Sequence, residues 1–307
     1  MASISIIDKQ LMDMFARFEC GKIGSIHSIF DRAVNILSND EKHLISLATE
    51  TVVQSPKMMK TNDCQSFSRL NESARVGGAV IWENDSMIRI GSSHWNFGEA
   101  KVWDEKISRF PLILREEFTK EIAKFLSRNG HERNSGLFSA LLAFSGGTQL
   151  LKNGDNIYKR AFLDGLRALD GAIKNDNRKD ILQASNRLLG LGFGLTPSGD
   201  DFLLGCLTVW QVFDVSLFLY YQDENWLKYV KEHTTIVSYF MLEQCLSGFA
   251  NHGFIELFRS FHMGRGLARA LDIFLEIGST SGIDMLCGAI FAMQYIEGDE
   301  AENHGLH

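Results

Sequence analysis

Proline is scarce in this chain of 307 residues, which holds three, at positions 56, 111 and 197. Proline breaks helices, so one proline after Pro111 leaves almost the whole second half free to form them. No run of roughly 18 apolar residues occurs, so no segment reads as a membrane-spanning helix. The start, MASISIIDKQLMDMF, lacks a basic stretch followed by an apolar core. A cytoplasmic location is the expectation.

Concentrated positive charge is absent too. The formal net charge is −7 and no block of lysines and arginines is present, which excludes nucleic acid and anionic membrane as expected partners. The five cysteines have no CxxC spacing and read as reduced core residues. The nine histidines form no HExxH, which argues against a histidine-based metal site. Walker A and G-x-S-x-G motifs are missing. The glycines of Gly190-Leu191-Gly192-Phe193-Gly194 follow a helical pattern, not a strand, so a dinucleotide fold is rejected.

What is present changes character once along the chain. Residues 21 to 105 carry short apolar runs between turn residues: KIGSIHSIF, HLISLAT, TVVQSPKMM and RVGGAVIWENDSMIRIG. These read as β-structure, the last with a four-residue turn at Glu83-Asn84-Asp85-Ser86. Before them, Ile7, Leu11, Met14, Phe15 and Phe18 form a helical stripe. Beyond Pro111, EEFTKEIAKFLSRNG, GLFSALLAFSG and NIYKRAFLDGLRALDGAIKN read as helices, the first two stopping at glycine. The expected fold is α+β: a β-rich part, sheet or barrel-like, over residues 1–108, packed on a mostly helical part over 109–307.

The helical part holds two related glycine-rich stretches. Ser198-Gly199-Asp200-Asp201-Phe202-Leu203-Leu204-Gly205 matches Ser281-Gly282-Ile283-Asp284-Met285-Leu286-Cys287-Gly288 as Ser-Gly-x-Asp-x-Leu-x-Gly, and hydroxyl residues Thr196 and Ser279 precede them. Each has the S-x-x-D form of a capping box, with Ser198 and Ser281 as N-caps and Asp201 and Asp284 reaching back. Two ordinary caps, with Gly205 and Gly288 serving close helix packing, explain much of this. They do not explain Gly190, Gly192 and Gly194 on alternate positions, the added Thr196, or the second carboxylate, Asp200. Glycine loses more backbone freedom on folding than other residues, so clustering it implies a need for positive φ or close approach.

Helix N-termini offer N–H donors and partial positive charge to a phosphate or carboxylate. Gly192, Gly194, Thr196, Ser198, Gly199, Asp201, Ser279, Thr280, Ser281, Gly282 and Asp284 are therefore candidate substrate-binding residues for a small anion. Asp200, the candidate catalytic residue, has three options: holding a divalent cation such as Mg²⁺, accepting from an amide N–H₂ of the ligand, or acting as a base. A substrate with an anionic end and an amide or amine end satisfies the whole set without a metal. His27 and Asn35 are weaker candidates. HWNFG (94–98), Asn251-His252-Gly253 and Ser145-Gly146-Gly147-Thr148 are ambiguous, the last being explained by a helix stop and turn.

GLGFGLTPSGDDFLLG and IGSTSGIDMLCG, with GKIGSIHSIFDRAVNIL and SPKMM, resemble a prokaryotic family long catalogued without a function. Its members include one subunit of the multi-subunit oxamate carbamoyltransferase of allantoin breakdown. In that family the second motif often has a histidine before its T/S-S-G, where this chain has Ser279, so any role of that histidine is absent here. The resemblance implies a subunit acting in carbamoyl transfer among oxamate, oxalurate, phosphate and carbamoyl phosphate, with other subunits as partners. Two expectations stand: an enzyme subunit of purine catabolism, or a non-catalytic scaffold or anion-binding subunit whose partners carry the chemistry.

Overall fold

The structure is a computed structural model that describes residues 2–107, 115–129, 136–145 and 157–296. It divides into two compact units, one running to Lys106 and including Phe249–His252, the other Ile107–Gly248 and Gly253 onward. The α+β class read from the sequence is the class found.

The first unit carries β1 (Ala2–Ser3), β2 (Ile6–Asp8), α1 (Lys9–Phe15), β3 (Gly21–Ile29), β4 (Ala33–Ser38), β5 (Leu44–Thr49), β6 (Met58–Thr61), α2 (Cys64–Ser73), β7 (Ala79–Asn84), β8 (Met87–Ile90), β9 (Ser93–Asn96) and β10 (Lys101–Trp103). All ten strands join one sheet in the order β1-β9-β8-β7-β3-β4-β5-β6-β2-β10. β1 and β2 are separated by Ile4 and Ser5 alone, yet β1 pairs with β9 and β2 with β6, near opposite ends of that order. Ile4 N donates to Asn96 O at 2.7 Å and Ser5 N to Lys60 O at 2.8 Å, carrying both pairings through the gap. The sheet therefore curls into a half-barrel.

Alternation sets which side chains line its interior. Val80 and Trp82 of β7, Ile88 and Ile90 of β8, and Trp95 of β9 are buried in one core with Val34, Ile36, Ile45 and Leu47. Helix α1 closes on this core through Leu11 and Phe15, whose ring lies 4.8 Å from that of Trp82. The helical stripe expected from Ile7 to Phe18 is shorter than its periodicity suggests. Ile7 is in β2, and Asp8 starts the helix by accepting from Gln10 N, because extended Ile6–Asp8 finds partners on two strands. The expected four-residue turn is two residues, Asp85 and Ser86, since Asn84 pairs with Met87. Helix α2 and strand β9, which overlaps HWNFG, were not read from the sequence. Asp63 caps α2 by accepting from Ser66 N, and buried Trp95 anchors β9.

The second unit carries α3 (Arg115–Asn129), α4 (Gly136–Phe144), α5 (Ile157–Lys174), α6 (Arg178–Asn186), α7 (Ser198–Val212), α8 (Leu217–Tyr220), α9 (Glu224–His233), α10 (Ile236–Leu246), α11 (His252–Met263), α12 (Leu267–Leu275) and α13 (Ser281–Met293). No strand occurs among its described residues. The three helices read beyond Pro111 are α3, α4 and α5. Gly130, Gly146 and most of Ser145-Gly146-Gly147-Thr148 lie outside the described residues, as does Pro111. No helix among the described residues is long and apolar enough to cross a membrane. All five cysteines are free: Cys206, Cys245 and Cys287 are buried as expected, whereas Cys20 and Cys64 are exposed.

At the centre of this unit lie α7 and α13, apolar on every side as suits helices surrounded by others. Cys206 Sγ meets Gly288 O at 3.3 Å and Trp210 Nε1 donates to Ala292 O at 3.3 Å, so the two helices run side by side in the same direction. A Cβ on Gly205 would lie 2.0 Å from Met285 O, and one on Gly288 would lie 2.0 Å from Phe202 O. These contacts are equivalent under the 83-residue offset of the two motifs. The matched glycines are thus the crossing point of an internal pseudo-two-fold pair.

Candidate functional site

The second unit brings the two glycine-rich stretches together. The Thr196 and Ser281 hydroxyl oxygens are 2.8 Å apart across 85 residues of chain. The loop before α7 turns through Gly190, Gly192 and Gly194 with φ of +68°, +132° and +95°, a region that L side chains rarely enter. A Cβ on Gly192 would also lie 2.7 Å from Ser198 N. The alternate glycines expected to need special backbone do so.

The helix starts differ from the capping boxes expected. Pro197 and Thr280 are the N-caps, neither bonding the first turn through its side chain, and Ser198 and Ser281 are the first helical residues. Asp201 and Asp284 therefore stand one position too deep for the reciprocal bond of a capping box. Because the helices are parallel and close, each aspartate meets one hydroxyl residue of the other motif and one of its own. Asp201 faces Ser281 and Thr196, and Asp284 faces Ser198 and Thr280.

Both carboxyls are buried, Asp201 at 1% exposure and Asp284 at 0%. Hydroxyls border them, but Asp201 Oδ2 and both oxygens of Asp284 lack a partner in hydrogen-bonding geometry. Burial pushes the Asp284 carboxyl up to about 7, with Ser198 and Thr280 opposing. Burial also pushes Asp201 well above the ordinary carboxylate range, and the charges of Asp284 and Asp200 add to this. The parallel alignment sets two positive helix ends side by side at the same place.

Asp200 is arranged differently. Its Oδ1 accepts from Gly190 N at 2.7 Å, and its Oδ2 accepts from the Thr234 hydroxyl. Burial raises its carboxyl while these donors and Ser238 hold it down. Thr235, the cap of α10, donates to Leu195 O, so the α9–α10 junction holds the glycine loop at Leu195 and the first turn of α7 at Asp200. Thr234 and Thr235 were missed in the sequence, where nothing marks a Thr-Thr pair after a helix as belonging to a loop 40 residues earlier.

From outside inward the site is graded. Gly194, Phe193 and Ser279 are exposed, Gly192, Thr196, Ser198 and Thr280 are half-buried, and Gly199, Gly282 and the three carboxyls are buried. The arrangement gathers the hydroxyls of Thr196, Ser198, Thr280 and Ser281 above the buried carboxyls, while Gly199 N donates to Leu191 O and Gly282 N to Ile277 O. No group of three His, Cys, Asp or Glu residues stands close enough to share a metal ion among the described residues.

The weaker candidates lie in the first unit. His27 occupies a β-bulge where Ile26 pairs with Ile36 and Ser28 with Asn35. Its Nδ1 is 3.2 Å from Ser28 Oγ, which accepts from Asn35 Nδ2 at 3.1 Å, and Ser46 Oγ donates to Asn35 Oδ1 at 2.7 Å. His94 Nδ1 lies 2.8 Å from Glu83 Oε2, and His252 Nδ1 lies 3.3 Å from Glu105 Oε2.

A fold with paired glycine-crossed helices and a hydroxyl-lined floor of carboxyls is one thing; which family uses it is another. The family model for the oxamate carbamoyltransferase subunit AllH matches residues 188–293, which span the glycine loop, α7 and α13. The model for the AllH family N-terminal domain matches residues 2–102, the half-barrel. The chain belongs to the AllH family, a family of oxamate carbamoyltransferase subunits. No solved structure matches it.

Proposed function

We propose that this protein binds a small anionic substrate of carbamoyl transfer at the paired starts of α7 and α13, as a subunit of an enzyme that interconverts oxamate plus carbamoyl phosphate and oxalurate plus phosphate. The observation that carries this is the meeting of the two motifs at Thr196 and Ser281, whose hydroxyl oxygens are 2.8 Å apart, beside the starts of both helices. A carboxylate or phosphate is favoured by the two positive helix ends and by the hydroxyls of Thr196, Ser198, Ser279, Thr280 and Ser281. The same ends stabilise charge that develops on a phosphoryl or carboxylate oxygen during transfer. Asp200, whose oxygens are engaged by Gly190 and Thr234, serves as a positioning residue that holds the loop against the ligand.

A second reading makes this chain a scaffold or anion-binding subunit with the chemistry on partner subunits. It is favoured by the same engagement of Asp200, which leaves no unburied base at the helix starts. Calorimetric titration of the chain with oxamate, carbamoyl phosphate and phosphate, with and without Mg²⁺, tests the site. Saturable binding that Thr196→Val and Ser281→Ala weaken is the expected result. If none of the three binds, and both variants support full transfer in the reconstituted complex, the site reading fails and the scaffold reading stands.

A further inference from the structure

Ile29, Phe30 and Asp31, from the N-terminal stretch GKIGSIHSIFDRAVNIL, take no part in the anion site and instead line a pocket in the first unit. We propose that this pocket, between the β3–β4 turn and α2, binds a small organic cation, a primary ammonium or guanidinium group carried on an apolar body. This site is independent of the helix starts in the second unit and goes beyond carbamoyl transfer.

The hollow is built into the fold. Strands β3 and β4 are joined by Phe30, Asp31 and Arg32, with Phe30 N donating to Ala33 O at 2.8 Å and Thr49 N, on β5, donating to Arg32 O at 2.9 Å. Asn71, on α2, donates through Nδ2 to Phe30 O at 2.7 Å, so the turn is tied to the helix. The space left between them is about 570 Å³, within the roughly 300–1,000 Å³ of small-molecule sites. It is therefore formed before any ligand arrives.

The lining selects the chemistry of the ligand. Ile29, Phe30 and Phe67 supply apolar surface, and the Phe30 side chain remains partly exposed. Asp31 and Glu72 supply charge of one sign, and no lysine, arginine or histidine is among the lining residues. Neither carboxylate forms an ion pair. The cations on α2 and just after it are turned to the backbone and to a hydroxyl: Arg69 donates to Gln65 O and Ser66 Oγ, and Arg75 to Glu72 O and Ala74 O. An anion here would meet two uncompensated carboxylates, and a neutral apolar ligand would cover them without pairing them. An organic cation pairs with the carboxylates, is attracted by the negative face of an aromatic ring, and covers apolar surface with its body.

Cys64 gives the test a readout inside the pocket. It lines the hollow, whereas Cys20, the other exposed cysteine, does not, and the remaining three are buried. The full chain is titrated calorimetrically with phenethylamine, phenethylguanidine, 3-phenylpropionate and 2-phenylethanol. Alkylation of Cys64 and Cys20 by iodoacetamide is then followed by mass spectrometry with each compound present. A bound ligand protects by a factor of one plus its concentration over Kd, so each cation at about ten times its Kd is expected to slow Cys64 about tenfold and to leave Cys20 unchanged. The acid and the alcohol are expected not to protect. Asp31→Asn/Glu72→Gln, both at exposed positions, is expected to weaken the two cations at least about tenfold, each rate being compared with that variant's own unliganded rate and its fold being checked by melting. Absence of cation binding up to about 10 mM overturns the proposal. So does calorimetric binding that leaves Cys64 unprotected, equal protection by 3-phenylpropionate, or a double variant that binds the cations like the parent. The anion site stands or falls separately, on oxamate and phosphate.

Discussion

Asp200 accepts a hydrogen bond at 2.7 Å from the backbone N–H of Gly190, ten residues before it, and so ties the start of α7 to the glycine loop that leads into it. The other oxygen takes the Thr234 hydroxyl, joining the same loop to the α9–α10 junction. Asp200→Asn puts an N–H₂ against one of these donors. The expected loss of stability is about 1–3 kcal/mol, measured by chemical denaturation, and ligand affinity falls with it. A variant of unchanged stability that has lost binding would return Asp200 to direct contact with the ligand.

The glycine crossing gives a paired expectation. Gly205→Ala drives a methyl to 2.0 Å from Met285 O, and Gly288→Ala does the same to Phe202 O. Backbone cannot yield as a flexible side chain can, so each is expected to cost about 1–3 kcal/mol or more, and the two by similar amounts. Gly171→Ala in α5, where the methyl meets nothing within 4 Å, is the control and is expected to stabilise by roughly 0.5–1 kcal/mol. Equal effects at all three positions would mean that helix propensity, not the crossing, governs these sites.

Stability is expected to fall as pH rises from about 4 through 7. Asp284 is raised from 3.8 to about 7 and Asp8 from 3.8 to about 6, both by burial, so between those values the folded chain binds protons that the unfolded chain has released. The stabilising contribution is complete below the unfolded value and is lost as pH passes the folded one. For Asp284 alone it is on the order of 4 kcal/mol. Melting temperatures across this window check it. Asp284→Asn should flatten the slope, and a slope unchanged by that substitution would show that the carboxyl does not titrate as its burial requires.

Thr196→Val and Ser281→Ala remove one hydroxyl contact from either side. Each is expected to cost about 0.5–1.5 kcal/mol, and the double variant less than their sum, because the second substitution removes a group already without its partner. A strictly additive cycle by denaturation would show that the 2.8 Å contact contributes nothing to joining the motifs.

Much of the fold was readable from local pattern. Alternation in AVIW and MIRIG gave β7 and β8, and three-four periodicity with few prolines gave the helices of the second unit. Where reading failed, a distant partner had overridden a local signal. Ile7 fits a helical stripe but is in a strand, because β6 and β10 offer its backbone ladders on both sides. Ser93–Asn96 looks like a polar loop, yet pairs with both β1 and β8.

The sequence by itself determined that two like helix starts exist, that their loop needs glycine, and that hydroxyl and carboxyl groups gather there. Those properties depend on residues within a turn or two of one another. The roles of the three carboxyls were decided by tertiary structure. Ser-x-x-Asp spacing assigns Asp201 and Asp284 to their own helix ends and leaves Asp200 free. Close parallel packing at Gly205 and Gly288 turns Asp201 toward Ser281 and Asp284 toward Ser198, while Gly190 and Thr234 claim Asp200. A carboxylate goes where donors and desolvation place it, and here both come from segments distant in the chain.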